Sequence, residues 1–403
     1  MDFHLTPEHE KIREVSRRLA ADFATRTAQH DREASLPVEN YAALKQEGFY
    51  GLTAPKDLGG WGAGFLGWTI AAEELAQGCP STALTFNMHV AAVETIMDDP
   101  KVSSTVKRRM AALVVQEQKL LAYSVTEPGG SSLVLGASYT PSVQAHRVRG
   151  GYVLRGRKAF LSMVEGCDYI AMLVHPEEEA NPLVGMMLLV PYLTSNQHVE
   201  EVWDTLGMRG TRSNNLVLED CFVPEENFCF RIEDFATWLA TTPMWGLGFS
   251  YTPVYLGIGA AAYHCACETL KKRVPRGFAQ PLSYHPDIRR RVAEMNADLE
   301  AARLLMYQAA WMFDTIGMTP ATFSALFRAK YFIGEAVARI IRSALTACGA
   351  HALFKTSSLE QFFRDGASAP IMPPQSDFCW DAVGMFELGL EPTEMLPPLK
   401  IAG

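Results

Sequence analysis

The chain carries little that would bind it to a metal, a nucleic acid or a bilayer. Its eight cysteines, Cys79, Cys167, Cys221, Cys229, Cys265, Cys267, Cys348 and Cys379, form no C-x-x-C pair and no zinc-like spacing with histidine. They read as reduced thiols, mostly buried, and no metal is expected. Positive charge is in deficit, with 36 Lys and Arg against 45 Asp and Glu and a net charge of -9. A nucleic-acid partner needs clustered cations that acids do not offset, so that class is excluded. No apolar run reaches the roughly 20 residues that span a bilayer. The first residues enter a charged helical pattern directly, so the expectation is a soluble, cytoplasmic protein with no membrane partner.

What is present is a chain of 403 residues, longer than one usual core, so two or three domains are expected. Thr6 is placed to cap a helix opening at Pro7, with Glu8 and Glu10 in its first turn, running to about His30. Helical periodicity returns over 37–47, 66–76, 81–98 and 101–118, while the Gly and Pro density of 53–65 marks a loop. From 120 to 224 the pattern changes to short alternating runs at 169–174, 186–190, 199–203 and 216–222, bounded by Gly, Pro and Asn. Long amphipathic segments then follow at 254–273, 286–314 and 320–348, the last opening on Thr319-Pro320 and stopping at Gly349. Three long helices with short connections predict a bundle.

The stretch AYSVTEPGGSSLVLGASYTPSVQAHRVRGGYVLRGRKAFLSMV, residues 122–164, lies between the helical halves. Gly129 and Gly130 permit a tight turn or a close approach to a ligand, and Thr126, Ser131 and Ser132 place small donors beside them. Alternation on both sides of Gly150-Gly151 predicts a hairpin. Phe160 and Ser162, two apart, share a face if the second strand continues.

This segment resembles the middle domain of the acyl-CoA dehydrogenase family, where T-E-P-x-x-G/S-S-D and K-x-F/W-I/L-T/S stretches hold FAD; here they read TEPGGSS and KAFLS. LGMRGTRSNNLVLEDCFVP (206–224) resembles the family's G-x-R-x-S/T strand, and CGAHALFKTSSLEQFFRDGASAP (348–370) its late helical segment with an Arg-Asp pair. The four matches fall in family order and cover nearly the whole chain. The resemblance implies an α+β fold: an N-terminal helical domain (1–119), a middle β-barrel-like domain (120–230) and a C-terminal four-helix-bundle domain (231–403).

It also implies FAD contacts at Tyr123, Val125, Thr126, Ser131, Phe160 and Ser162, and a turn against FAD at Gly349. The family's R-x-x-F-G-x-P-L arginine, which grips the pyrophosphate often of a neighbouring subunit, corresponds to either Arg273 or Arg276, ahead of Phe278. A guanidinium suits the task because its fork matches a phosphate bidentately. Ser132 stands at the family's aspartate, and with Arg209 and Arg212 is a substrate-contact candidate; strand-end surface charge explains the two arginines as well. Arg364 and Asp365 read as an ion pair on a helix end.

The family reaction removes an α-proton with a glutamate while a hydride passes to flavin. At the glutamate's position this chain has Pro373, and near Leu247, the family's other base position, there is no carboxylate. Three readings stay open. One is a dehydrogenase of an acyl-CoA or acyl-carrier substrate with Asp377 as base and a flavoprotein as electron acceptor. Another is a flavin N- or S-monooxygenase using dioxygen, with His89 near the flavin; a histidine satisfied at the edge of a core helix explains His89 as well. The last is a non-catalytic subunit of a heteromeric dehydrogenase. The resemblance implies a homotetramer or homodimer.

Overall fold

The computed structural model describes residues 4–129, 141–192, 194–235, 238 and 249–390. It opens with α1 (Pro7–Phe23), whose Thr6 hydroxyl accepts from the His9 N–H and whose buried stripe runs Ile12, Val15, Leu19, Phe23. The helix stops short of His30. The Thr25 hydroxyl and amide both bond back to the Asp22 carbonyl, and this local alternative to the helical ladder makes a turn before α2 (Thr27–Glu33). Then follow α3 (Val38–Gln46), α4 (Gly64–Gly78), α5 (Pro80–Met97) and α6 (Ser104–Ala111), which runs on as a π-helical turn over Ala112–Gln116.

Eight described strands come next: β1 (Leu121–Ser124), β2 (Gln144–Val148), β3 (Gly151–Leu161), β4 (Tyr169–Pro176), β5 (Gly185–Pro191), β6 (Gln197–Glu200), β7 (Asn214–Pro224) and β8 (Phe228–Ile232). Their order is β6-β7-β3-β2-β4-β5-β8, with β1 parallel to β4. The sheet folds over at the short parallel β2–β4 join, so its two halves face each other. Leu154, Met172, Leu188 and Leu216 fill the space between them. Among the described residues the end strands β6 and β8 do not pair, so the barrel-like expectation becomes an open, folded sheet.

The last third is helical: α7 (Thr252–Lys272), α8 (Pro286–Ile316), α9 (Pro320–Cys348), α10 (Ser358–Gly366) and α11 (Ser376–Glu387). The helices α4 and α5 explain how the parts unite. Both are buried on nearly every face, which a helix tolerates only inside a larger assembly. α4 lies between α1 and the bundle, and its Trp68 shares one core with Tyr255 of α7 and Leu299 of α8. Gly257 of α7 makes the crossing close, since a Cβ there would lie 2.3 Å from the Glu73 carbonyl oxygen. Asp314 of α8 caps α4 from a distance, accepting from the N–H groups of Phe65 (2.7 Å) and Leu66 (2.8 Å). α5 packs its far side on the sheet through Ala91, Ile96, Leu121 and Leu173.

Candidate active site

The TEP and KAF stretches lie side by side. The Ala159 N–H donates to the Thr126 carbonyl at 3.0 Å, just past the end of β1, where Tyr123 is buried and Val125 and Thr126 are half-buried. Beneath this contact, the fully buried Lys158 ammonium donates to Glu127 and to the Leu173 carbonyl. Glu127 also accepts from the hydroxyl and N–H of Ser142 and the N–H of Val143, so the buried carboxylate is surrounded by donors. Burial pulls the Lys158 pKa down while Glu127 opposes the fall. No role was assigned to Glu127 or Lys158 from sequence. The signal was there: alternation along β3 puts Lys158 on the face of the buried Tyr152 and Leu154.

Phe160 and Ser162 do not share a face. The β3–β7 register shifts between Lys158 and Leu161, and Phe160 has a left-handed backbone (φ 53°), so the strand bulges at that point. The Phe160 ring is 65% exposed and meets Trp203 edge-on, centroids 6.1 Å apart. Ser162 turns inward instead, 7% exposed, with its hydroxyl 2.8 Å from that of Ser213. Ser131 and Ser132 lie outside the described residues.

At the bundle end of the site, Arg273 donates to the Cys348 carbonyl at the C-terminus of α9, beside the left-handed Gly349 (φ 72°). Its guanidinium therefore closes a helix end. Arg276 and Phe278 lie on the exposed segment that follows, Phe278 with 66% of its surface open.

His89 of α5 is 1% exposed, and both ring nitrogens serve the backbone: Nδ1 accepts from the Leu121 N–H at 3.1 Å and Nε2 donates to the Tyr50 carbonyl at 2.8 Å. These partners require the neutral Nε2–H tautomer, and burial lowers its pKa to about 4. His89 thus pins the start of β1 to α5 and leaves no ring nitrogen for a reagent. Asp377 sits exposed in the first turn of α11, while Pro373 is half-buried.

The three arginines of the later motifs face protein. Arg209 donates to the Asp31 carbonyl (2.9 Å) and to Asp204 (3.2 Å), and Arg212 donates to Glu165 (2.8 Å) and Glu201 (3.0 Å). Arg364 and Asp365 are not paired with each other and are not at the surface. Arg364 grips Asp31 of α2 and Glu360, whereas Asp365 accepts from the Met208 N–H at 2.6 Å. Neighbours on a helix point about 100° apart, so each side chain reaches a different domain. Burial pushes the Asp365 carboxyl up to about 7. Among the described residues no group of His, Cys, Asp and Glu could hold a metal ion.

A folded sheet between helical layers, with the TEP and KAF stretches joined by the Ala159–Thr126 hydrogen bond, defines the fold. Three domain families match in order: acyl-CoA dehydrogenase N-terminal domain over residues 6–99, middle domain over 122–221 and C-terminal domain over 250–374. The chain belongs to the acyl-CoA dehydrogenase family. The mitochondrial short-chain specific acyl-CoA dehydrogenase of Rattus norvegicus is 26% identical over 387 residues, covering 93% of this chain and 88% of its own. Butyryl-CoA dehydrogenase from Megasphaera elsdenii superposes with a TM-score of 0.84 at 23% identity, covering 96% of this chain and all of that one. FMN-bound TdsC from Paenibacillus sp. A11-2 also reaches 0.84, at 20% identity over 94% of this chain and 97% of its own.

Proposed function

We propose that this chain is an FAD-dependent oxidoreductase that dehydrogenates an acyl thioester, on CoA or a carrier protein, between its α and β carbons. The observation that carries the reading is the edge-to-edge clamp of Thr126 and Ala159 over the buried Lys158–Glu127 pair. A second observation tests the fit of the cofactor. Among the described residues the Ser124 hydroxyl of β1, 3% exposed, lacks a hydrogen-bond partner, as a strand edge prepared for a polar ligand would.

Bound FAD supplies the hydride acceptor. Tyr123, Val125, Thr126 and Ser162 would hold its ring, with Ser131 on the same motif. Phe160 would cover it, and Arg276 would be the phosphate-binding arginine because Arg273 is occupied at Cys348. His89 holds β1 in place. Asp377 takes the α-proton, since Pro373 has no acceptor. Arg209 and Arg212, each tied to acids, hold the 201–212 loop against α2 rather than reaching a substrate directly. Electrons leave to a second flavoprotein. The assembly is a homotetramer or homodimer, supported by the exposed Phe278, Phe354, Ile371 and Trp380 on the bundle. Operation in the cytoplasm is supported by eight free cysteines, six of them buried.

The test is anaerobic mixing of FAD-loaded protein with a panel of acyl thioesters while the visible flavin absorption is followed. Bleaching is expected, and Asp377→Asn should slow it by about 10²-fold or more. Failure to bleach with every CoA-bound and carrier-bound thioester would overturn the dehydrogenase reading.

A further inference from the structure

Ser162 is the first of three buried hydroxyls in a row. Its oxygen lies 2.8 Å from that of Ser213, which lies 2.8 Å from that of Thr211, and Thr211 donates to the Met208 carbonyl at 2.9 Å. Thr211 is fully buried and Ser213 is 5% exposed. Each hydroxyl has one hydrogen, so the row has a direction. With Thr211 donating to Met208, Ser213 donates to Thr211 and Ser162 to Ser213, and Ser162 can only accept from anything beyond it. With the row reversed, Thr211 donates to Ser213, Ser213 to Ser162, and Ser162 donates outward.

Reversal is cheap because of the far end. The Met208 carbonyl also accepts from the Thr211 N–H (3.1 Å) and from the Trp203 indole N–H (3.1 Å). Two lone pairs thus have three donors, and releasing the Thr211 hydroxyl leaves the carbonyl satisfied. The Asp365 bond to the Met208 N–H holds the anchor residue against α10 while the hydroxyls turn.

We propose that Ser213 and Thr211 are positioning residues that let Ser162 switch between donor and acceptor toward the flavin ring. The inference rests on the reading above that Ser162 faces FAD. Oxidised flavin, with an unprotonated ring nitrogen, would be met by Ser162 as a donor. The two-electron-reduced ring, with an N–H, would be met by Ser162 as an acceptor. No proton leaves an oxygen; each O–H only rotates. Both redox states are therefore hydrogen-bonded, and neither strands a buried hydroxyl.

Removing the middle of the row should penalise one state. In Ser213→Ala, Ser162 can still donate to oxidised flavin, but opposite the reduced ring its own hydrogen has no acceptor. The equilibrium of the flavin against a reference dye should move about tenfold toward the oxidised form, a fall of about 30 mV in midpoint potential for a two-electron couple. Thr211→Val should give a shift of the same sign and smaller size, and Ser213→Thr should restore the parent potential. In a Ser162→Ala background, Ser213→Ala should produce no further shift. Circular dichroism and FAD content establish first that each variant is folded and loaded. An unchanged potential in loaded Ser213→Ala and Thr211→Val proteins, or an equal shift with Ser162 already removed, overturns the relay while leaving the flavoprotein reading intact. A parent protein that takes up no FAD overturns both.

Discussion

Lys158 is fully buried yet bears an ammonium, and its stability depends on Glu127 lying against it. Truncating one partner of such a pair leaves an uncompensated charge, which costs about 3–5 kcal/mol. Lys158→Met should therefore lower the free energy of unfolding by that amount in denaturant titration; a loss under about 1 kcal/mol would show that the buried pair does not support the Thr126–Ala159 contact above it. Pairing it with Glu127→Gln should recover part of the loss. Recovery stays partial because Ser142 and Val143 still require an acceptor. Glu94 of α5 poses the opposite problem. It is 7% exposed, its Oε1 has no partner among the described residues, and burial raises its pKa to about 8. A carboxyl with a raised folded pKa binds its proton more tightly when folded, so its contribution is intact below about 4.5 and is lost as pH rises through 8. Glu94→Gln keeps the shape without the charge. Its stability advantage over the parent should widen by at least about 1 kcal/mol between pH 5 and pH 8 in thermal melts; a constant gap would mean that Glu94 is not held protonated.

Between elements, the decisive contacts are long-range, and this sets what the sequence could tell. Period and caps placed most helices well: α9 begins at Pro320 behind the Thr319 cap and ends before Gly349, and α8 starts at Pro286. The strand segments were legible as short apolar runs bounded by Gly, Pro and Asn, with one face buried along β7 and both faces buried along β4 and β5. The break after Phe23 was missed because it depends on one threonine hydroxyl competing with the helical ladder. The motif residues themselves were legible through family resemblance, but their partners were not. Arg364 meets Asp31, 333 positions away, and nothing in the local pattern of either residue encodes that distance. The bulge at Phe160 escaped because its cause lies in pairing with β7. Asp365 shows the consequence at this scale, since it joins α10 to the loop that bears Met208. Its pKa, raised from 3.8 to about 7, means stability is lost as pH rises between these values. Asp365→Asn retains a carbonyl oxygen for the Met208 N–H and should flatten the pH dependence of the melting temperature over that window. A slope identical to the parent's would remove Asp365 as its source.

For the whole molecule, the proposed site has an exposed edge on the bundle. Arg273 is drawn inward to Cys348, and the segment after it runs exposed through Arg276 and Phe278. A phenylalanine with 66% of its surface open, on a bundle that also exposes Phe354, Ile371 and Trp380, is costly in water and is explained if another copy covers it. The phosphate end of FAD in one subunit would then be gripped by Arg276 from the next, which makes cofactor binding depend on assembly. Phe278→Glu tests that coupling without disturbing the monomer core, because the side chain is not part of it. Light scattering should show the oligomer weakened, and FAD titration of the apoprotein should show affinity reduced by at least about tenfold, equivalent to 1.4 kcal/mol. Arg276→Ala should weaken FAD binding comparably while the oligomer persists, because it removes the grip and keeps the contact. If the Phe278 variant dissociates to monomers that still bind FAD with parental affinity, each chain completes its own site and the coupling argued from this exposed segment fails.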